Sequence, residues 1–519
     1  MKDKIHLLLV LLWCFPIFSY SQNDSISEGA NSITIPELKD HMYYLASDEL
    51  DGRLPGTSGY KKAAEYAVTQ FKQSGLVPIV DNGTSFLQPV PLRLYYWDEK
   101  NELILNNSTG RINYRIGEDF IIHSGEPYES RSLSGEMVFV SMGIQEPEHG
   151  FDNYKGIDVK GKWVIMYSGY YMDELKEMLP PDTFSKYKER HNGQRLREEY
   201  ARKAGAIGII IIPHKFDFDF WDALADSRRK QVKLRNFKNQ PFNSEITSLL
   251  ANERLISEIF KGHELKPLED KLSLKSFPLE KITLDFDKNF YTEDIVSYNV
   301  IGLVKGSTST NYNKYITVGA HLDHMGIQNG EIINGADDNA SGSVGVIEMA
   351  EAVAMSKSGH PVIFILYTAE EMGLLGSWYF TENPPVSMDN IIANINLDML
   401  GRSDGDVEKG ICPIILDTTG NELKKIILNV HHKYPVTDLD WTYADTCRYR
   451  SSSDHYSFHT KGVPSVFFFD GTNPDIHTPK DDAVKIDYEY FQKNCEFVYH
   501  LIMELANASI EETQFNNRK

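Results

Sequence analysis

Cysteine is scarce in this chain, with four in 519 residues. Cys14 falls in the first apolar stretch, which leaves Cys412, Cys447 and Cys495. Three is odd, and that excludes a full disulfide framework. A Cys412–Cys447 bridge and buried free thiols both stay open. Positive charge is also in short supply. Lys and Arg total 53 against 74 Asp and Glu, a formal net charge of −21, which argues against nucleic acid or an anionic membrane surface as a partner. No stretch after the first apolar one is long enough for a transmembrane helix. No internal repeat or low-complexity tract is evident, so repeat architectures are set aside.

What is present is an ordinary globular composition, 41% hydrophobic and 12% aromatic, over a length suited to two or three domains. The chain opens MKDKIHLLLVLLWCFPIFSYSQND. Lys2 and Lys4 form a basic head, Ile5–Phe18 is an apolar run short for a bilayer, and Ser19-Tyr20-Ser21 suits cleavage at small residues. Residues 1–21 are expected to be a secretory signal peptide, and the protein to be secreted or periplasmic with no stable membrane insertion. Trp13 before Cys14 does not suit a lipoprotein cleavage box, so no lipid anchor is expected.

Ile35, Leu38, Met42 and Leu45 fall at helical spacing with Pro36 in the first turn. A turn-rich loop, SDELDGRLPGTSG, precedes a second helical face of Tyr60, Ala64, Ala67 and Phe71, closed by Gly75. Residues 85–121 read as strands. From Arg111 the texture changes, with strands at Met137–Val140, Trp163–Tyr167 and Ala206–Ile212 and a helix face of Leu196, Tyr200 and Ala204. Phe216, Phe218, Phe220 and Trp221 read as packing under a loop, and Arg228–Lys230 as a solvated face. From Val296 onward, strands alternate with helices up to a closing helix through Phe491, Val498 and Leu505. Such alternation implies the α/β class, a sheet with helices on both faces. Residues 30–110 and 286–510 are expected to form it around an insertion at 111–285.

The candidate chemistry collects after strand ends. His321 follows Ile316–Ala320. Asp337 and Asp338 lie in the Gly/Asn loop after it. Glu370 and Glu371 follow Val362–Thr368, Asp398 follows Ile391–Leu397, and His477 lies beyond Val463–Phe469. The carboxyl edge of an open α/β sheet is where ligands bind. Two histidines and several carboxylates suit a zinc-type site, and a spare carboxylate between two ions allows a two-metal site. A Glu-Glu pair alone is usually surface charge; the apolar strand before Glu370-Glu371 reverses that reading.

The stretches GAHLDH, NGADDNASG, LYTAEEMGLLGS, NINLDMLG, SSSDHYSF and DIHTPKDD resemble the metallopeptidase family M28, the co-catalytic zinc aminopeptidases. SDELDGRLPGTSG is similar to the family's opening segment. FVSMGI, YKGIDVKGKWVIMYSG and ARKAGAIGIIII resemble a protease-associated domain. The resemblance implies a zinc-exopeptidase (phosphorylase/hydrolase-like) fold, a mixed central sheet flanked by helices on both faces, with an inserted β-rich α/β protease-associated domain that would cover or shape the site. It implies two Zn2+ ions, with Co2+ or Mn2+ able to substitute. Asp337 would bridge them, His321 and Asp398 would complete one ion, and Glu371 and His477 the other. Glu370 would be the general base, and the Asp337–Asp338 peptide would be cis.

Asp323 is expected to accept a hydrogen bond from the His321 imidazole. Asp454 and His455 match the family's Asp-His pair and are read, with Asp338, as supporting or pocket residues. His324 reads as packing or hydrogen-bonding locally rather than touching substrate. Arg448 and Arg450 suit the surface as readily as a substrate. Ile476 departs from the family pattern, where an aromatic residue commonly precedes the histidine, and this leaves the oxyanion donor unassigned. The expected activity is an aminopeptidase acting on peptides with a free N-terminus. A single-zinc glutaminyl cyclase and a carboxypeptidase or dipeptidase of the same fold are the alternatives. The preferred first residue and the oligomeric state are not legible.

Overall fold

The structure is a computed structural model, described over residues 17–124, 130–188, 192–219, 221–228, 230–235, 245–268, 272–306, 314–356, 358–416, 421–443 and 449–508. It divides into two units. The first comprises Met1–Val90, Ser297–Asp445 and Ser453–Lys519; the second comprises Pro91–Val296 and Thr446–Ser452.

The first unit is built on parallel strands. Tyr315–His321 lies between Val362–Tyr367 and Ile391–Leu397, parallel to both. Ser465–Phe469 continues the parallel run beside Ile391–Leu397. Antiparallel partners flank it: the end of Phe290–Val304 pairs with Val362–Tyr367, and Cys412–Leu416 pairs with Ser465–Phe469. The sheet is therefore mixed. Its parallel strands are buried at nearly every position because both faces are covered. Val362, Phe364 and Leu366 point into one core, and Ile363, Ile365 and Tyr367 into another. The first core also takes the helices Gly342–Ser356 and Tyr488–Asn507. Gly319 has no side chain because the Tyr367 ring occupies its place; a Cβ there would stand 2.5 Å from the ring.

The expected N-terminal helices form as Ile35–Leu45 and Ser58–Gln73. Thr34 caps the first by accepting from Glu37 N, with Pro36 in the first turn, and Thr57 caps the second by accepting from Tyr60 N. A helix at Ile17–Ser32 runs through the cleavage point expected after Ser21. Residues 1–16 lie outside the described residues, as do Phe220 and Arg448. Among the described residues no helix is long and apolar enough to cross a membrane. Cys412 and Cys495 are buried free thiols, and Cys447 lies outside the described residues.

The second unit has its own eight-stranded sheet. Its centre is parallel, from Arg131–Phe139 through Trp163–Tyr167 and Gly208–Ile212 to Ser248–Ala251. The boundaries expected from sequence shift here. Glu102–Asn107 and Gly110–Arg115 form a hairpin, and Glu102–Asn107 pairs with Phe277–Lys288. Residues up to 110 assigned to the N-terminal part thus belong to the second unit from Pro91 on, and the chain leaves it at Val296 rather than 285. A strand pattern shows that residues are extended, but not which sheet they join. Phe218 and Trp221 stack at 6.3 Å, and Trp221 Nε1 donates to Gly117 O at 2.8 Å, which is packing as expected.

Candidate metal centre

Parallel pairing sets the strand ends side by side. His321 is in register with Tyr367, and Leu397 with Phe468. The chain turns sharply beyond these ends. Ala369, Met399 and His477 have φ of +55°, +64° and +57°, a region that residues with a Cβ seldom occupy. Such conformations persist where the surroundings over-determine them. Here they aim Glu370, Asp398 and the His477 ring itself toward one spot.

Two sets of donor atoms meet there. His321 Nε2 is 3.2 Å from Asp398 Oδ1 and 3.4 Å from Asp338 Oδ1. His477 Nε2 is 2.9 Å from Asp338 Oδ2 and 3.3 Å from Glu371 Oε2. Asp338 thus faces each set with a different oxygen. Glu370 Oε2 stands 3.9 Å from His321 Nε2. A tetrahedral shell with zinc–ligand bonds of about 2.0 Å has ligand–ligand edges of about 3.3 Å, and these spacings match it. His321, Asp338, Glu370, Glu371 and Asp398 are nearly buried, whereas the His477 side chain is 45% exposed. Solvent reaches the group on the His477 side.

The electrostatics point the same way. Burial works against protonating His477, yet Glu371 and Asp338 raise its pKa to about 11. His321 is raised as well, by Asp398 and Glu370 against burial. Burial pushes Glu370 well above the usual carboxylate range, with Glu371 and Asp398 adding to the effect. Such a group holds protons that a divalent cation would displace. Both ring nitrogens of His324, together with Glu371 Oε1, are buried and complete no hydrogen bond among the described residues. The donor set fits two divalent ions with a nitrogen and oxygen preference, zinc foremost and cobalt or manganese by the same chemistry.

Several expectations shift by one residue or one atom. Asp337 is not among the converging donors. Its Oδ1 accepts from Gly401 N and its Oδ2 from Asn473 Nδ2, both at 2.9 Å. The carboxylate between the two sets is Asp338, read from sequence only as a supporting residue. The cis peptide is Asp338–Asn339, not Asp337–Asp338. Asp323 likewise plays a different part. His321 Nδ1 is 3.1 Å from the backbone carbonyl of Asp323, while the Asp323 carboxylate accepts from Glu370 N and Glu371 N at 3.1 and 3.4 Å. It holds the glutamate turn rather than the imidazole.

Asp454 is fully buried, and burial raises it to about 7 against the pull of His321. His455 stacks on Phe467 at 4.8 Å. Neither is among the converging donors. Arg450 is exposed.

Three residues hold the loops, of which the sequence pointed only to His324, as a local contact. Arg53 is fully buried in a polar-looking segment. It donates to Leu322 O at 2.8 Å, Asn334 O at 2.6 Å and Gly335 O at 2.9 Å, and also to Leu45 O. The loops bearing His321 and Asp338 are thereby tied together. Asp481 accepts from the backbone nitrogens of Asp337 and Asp338 at 2.9 and 3.0 Å. His324 Nδ1 lies 2.8 Å from Glu371 Oε1. The only sequence signal was their place inside the quoted motifs.

Residues 299–502 match the model of peptidase family M28. Leucine aminopeptidase 1 of Ajellomyces capsulatus is 31% identical over 228 residues, which span 41% of this chain and 57% of that protein. A probable leucine aminopeptidase of Arthroderma otae is 28% identical over 287 residues, 48% of this chain and 77% of the relative. The chain thus spans little more than half the length of the first of these relatives. Among solved structures, an aminopeptidase from Aneurinibacillus sp. strain AM-1 aligns with a TM-score of 0.58 at 19% identity, covering 92% of this chain and 96% of that one. BSAP, a zinc aminopeptidase from Bacillus subtilis, aligns with a TM-score of 0.50 at 18% identity over the same shares. At these identities the likeness establishes the fold.

Proposed function

We infer, from a chain whose residues 299–502 belong to peptidase family M28, that the protein is a two-zinc aminopeptidase cleaving the first bond of peptides with a free N-terminus. One observation carries this reading: Asp338 turns Oδ1 to His321, which Asp398 also approaches, and Oδ2 to His477, which Glu371 also approaches. The names of the relatives support the substrate class. The leader-like first 21 residues support export, secreted or periplasmic. The second unit is read as a protease-associated domain on the motifs quoted above.

Bound in these two sets, zinc would supply Lewis acidity to the scissile carbonyl and acidify the attacking water. Glu370 does the proton work. It stands beside His321 and outside both pairs of closest donors, and burial raises its pKa, which makes its carboxylate a stronger base. A carboxylate tuned upward in this way takes a proton from water and hands it to the leaving amine. Asp323 fixes the Glu370 backbone, so the carboxylate keeps its aim. The exposed edge of His477 leaves the approach open to a peptide.

The test is hydrolysis of an aminoacyl-p-nitroanilide panel with metal content measured on the same sample. Two zinc ions per chain and release that N-acetylation of the substrate abolishes are expected. Glu370→Gln should lower kcat about 10²–10⁴-fold with both ions retained. One zinc with cyclisation of an N-terminal glutamine peptide, or unchanged turnover in Glu370→Gln, would overturn the reading.

A further inference from the structure

His324 is a third imidazole at this centre, beside His321 and His477. It is fully buried, in the loop directly after His321. Its backbone is anchored, since His324 N donates to Arg53 O at 3.3 Å. Its ring packs 5.7 Å from the His477 ring. Nδ1 stands 2.8 Å from Glu371 Oε1 and 4.0 Å from Asp338 Oδ1. Glu371 meanwhile turns its other oxygen, Oε2, toward His477. The two glutamate oxygens therefore face two different histidines. Neither His324 nitrogen nor Glu371 Oε1 completes a hydrogen bond among the described residues, and the 2.8 Å approach of Nδ1 to Oε1 is the nearest polar contact of either side chain among them. Buried polar atoms left in that state are costly, so a pairing of Nδ1 with Oε1 is what the site is built to complete.

We propose that His324 is a positioning residue for one ion of the pair: its Nδ1–H pins Glu371 Oε1, so that Oε2 faces the His477–Asp338 set. The proposal rests on the two-zinc reading above. A carboxylate held by one oxygen cannot swing away or chelate with both, and a fixed ligand binds its metal more tightly. The effect is local. The His321–Asp338–Asp398 set does not use Glu371, so only one of the two ions responds to His324.

The experiment is chelator competition on purified holoenzyme, reading the two zinc dissociation constants separately. His324→Asn keeps an N–H close to the place of Nδ1. His324→Leu fills the space without a donor, and His324→Ala, which also has no donor, serves in its stead should the leucine not pack; melting of the metal-free forms shows that each variant is folded. The donor-less variant should lose about 10–100-fold in affinity for one ion, leave the other unchanged, and be largely rescued in His324→Asn. Equal affinities in all variants, or parallel loss at both sites, would overturn the assignment of His324. Wild-type protein holding fewer than two ions would instead sink the two-zinc reading itself.

Discussion

At the scale of single residues, the centre turns on the difference between two neighbouring aspartates. Asp337 and Asp338 are equivalent by composition, and both are nearly buried. Asp337 faces Gly401 and Asn473, and burial together with Asp470 and Asp481 pushes it well above the usual carboxylate range. Asparagine imitates it in shape and keeps one of its two acceptor positions. Asp338 is held low despite its burial, with His477 and His324 beside it, which suits the shared-ligand role proposed for it. Asp338→Asn should therefore reduce zinc below two per chain and cost more than the about 10–100-fold seen when a ligand's outer partner is removed. Asp337→Asn should keep both ions and lose only about 1–2 kcal/mol of stability from a strained hydrogen bond. Metal analysis and denaturation of the two variants decide it; loss of zinc in Asp337→Asn alone would return the bridging role to that residue.

At the scale of elements, the C-terminal helix Tyr488–Asn507 shows how much periodicity can carry. Phe491, Cys495, Val498, Ile502 and Leu505 were legible as one buried stripe, and all are buried. Asp487 accepts from Tyr490 N and caps the helix. The same helix carries His500 into a stack on Tyr434, with centroids 3.7 Å apart and planes within 3°. No pattern announced that contact, because Tyr434 comes from a distant stretch of chain. Burial lowers the His500 pKa to about 4, and Lys433 adds to the effect. The unfolded chain takes up this proton near pH 6.5, while the folded one resists until about 4. Stability is thus intact above pH 6.5 and falls as the pH drops through that window. At pH 5 the loss from this group is about 2 kcal/mol. Urea midpoints at pH 7 and pH 5 should converge for wild type and His500→Phe if the histidine is silent. The wild-type unfolding free energy should fall between pH 7 and pH 5 by about that amount more than the variant's if it acts as described.

At the scale of the whole molecule, two units each enclose their own apolar cores. The described donors of the centre all lie in the unit containing Ser297–Asp445 and Ser453–Lys519. Ligand binding stabilises only the structure it binds, by about 2.7 kcal/mol at a hundred times the dissociation constant. Calorimetry of the holoprotein should show two transitions, and chelation should lower one and leave the other in place. A single transition, or equal shifts in both, would mean that the units unfold together.

The sequence by itself determined the chemical inventory and its order: a histidine, an Asp-Asp pair, a Glu-Glu pair, an aspartate and a histidine, most of them just beyond apolar runs long enough to be strands. Those runs also settled the class of fold, because apolar stretches between helical patterns must be covered on both faces. Only the tertiary structure decided which aspartate lies between the donor sets, which group steadies His321, and what Arg53 and His324 touch. The reason is geometric. Adjacent side chains on a loop point in different directions, and the choice depends on partners such as Gly401, Asn473 and Asp481, which come from far along the chain. The extent of the second unit was hidden for the same kind of reason, since the Glu102–Asn107 strand joins its sheet through Phe277–Lys288.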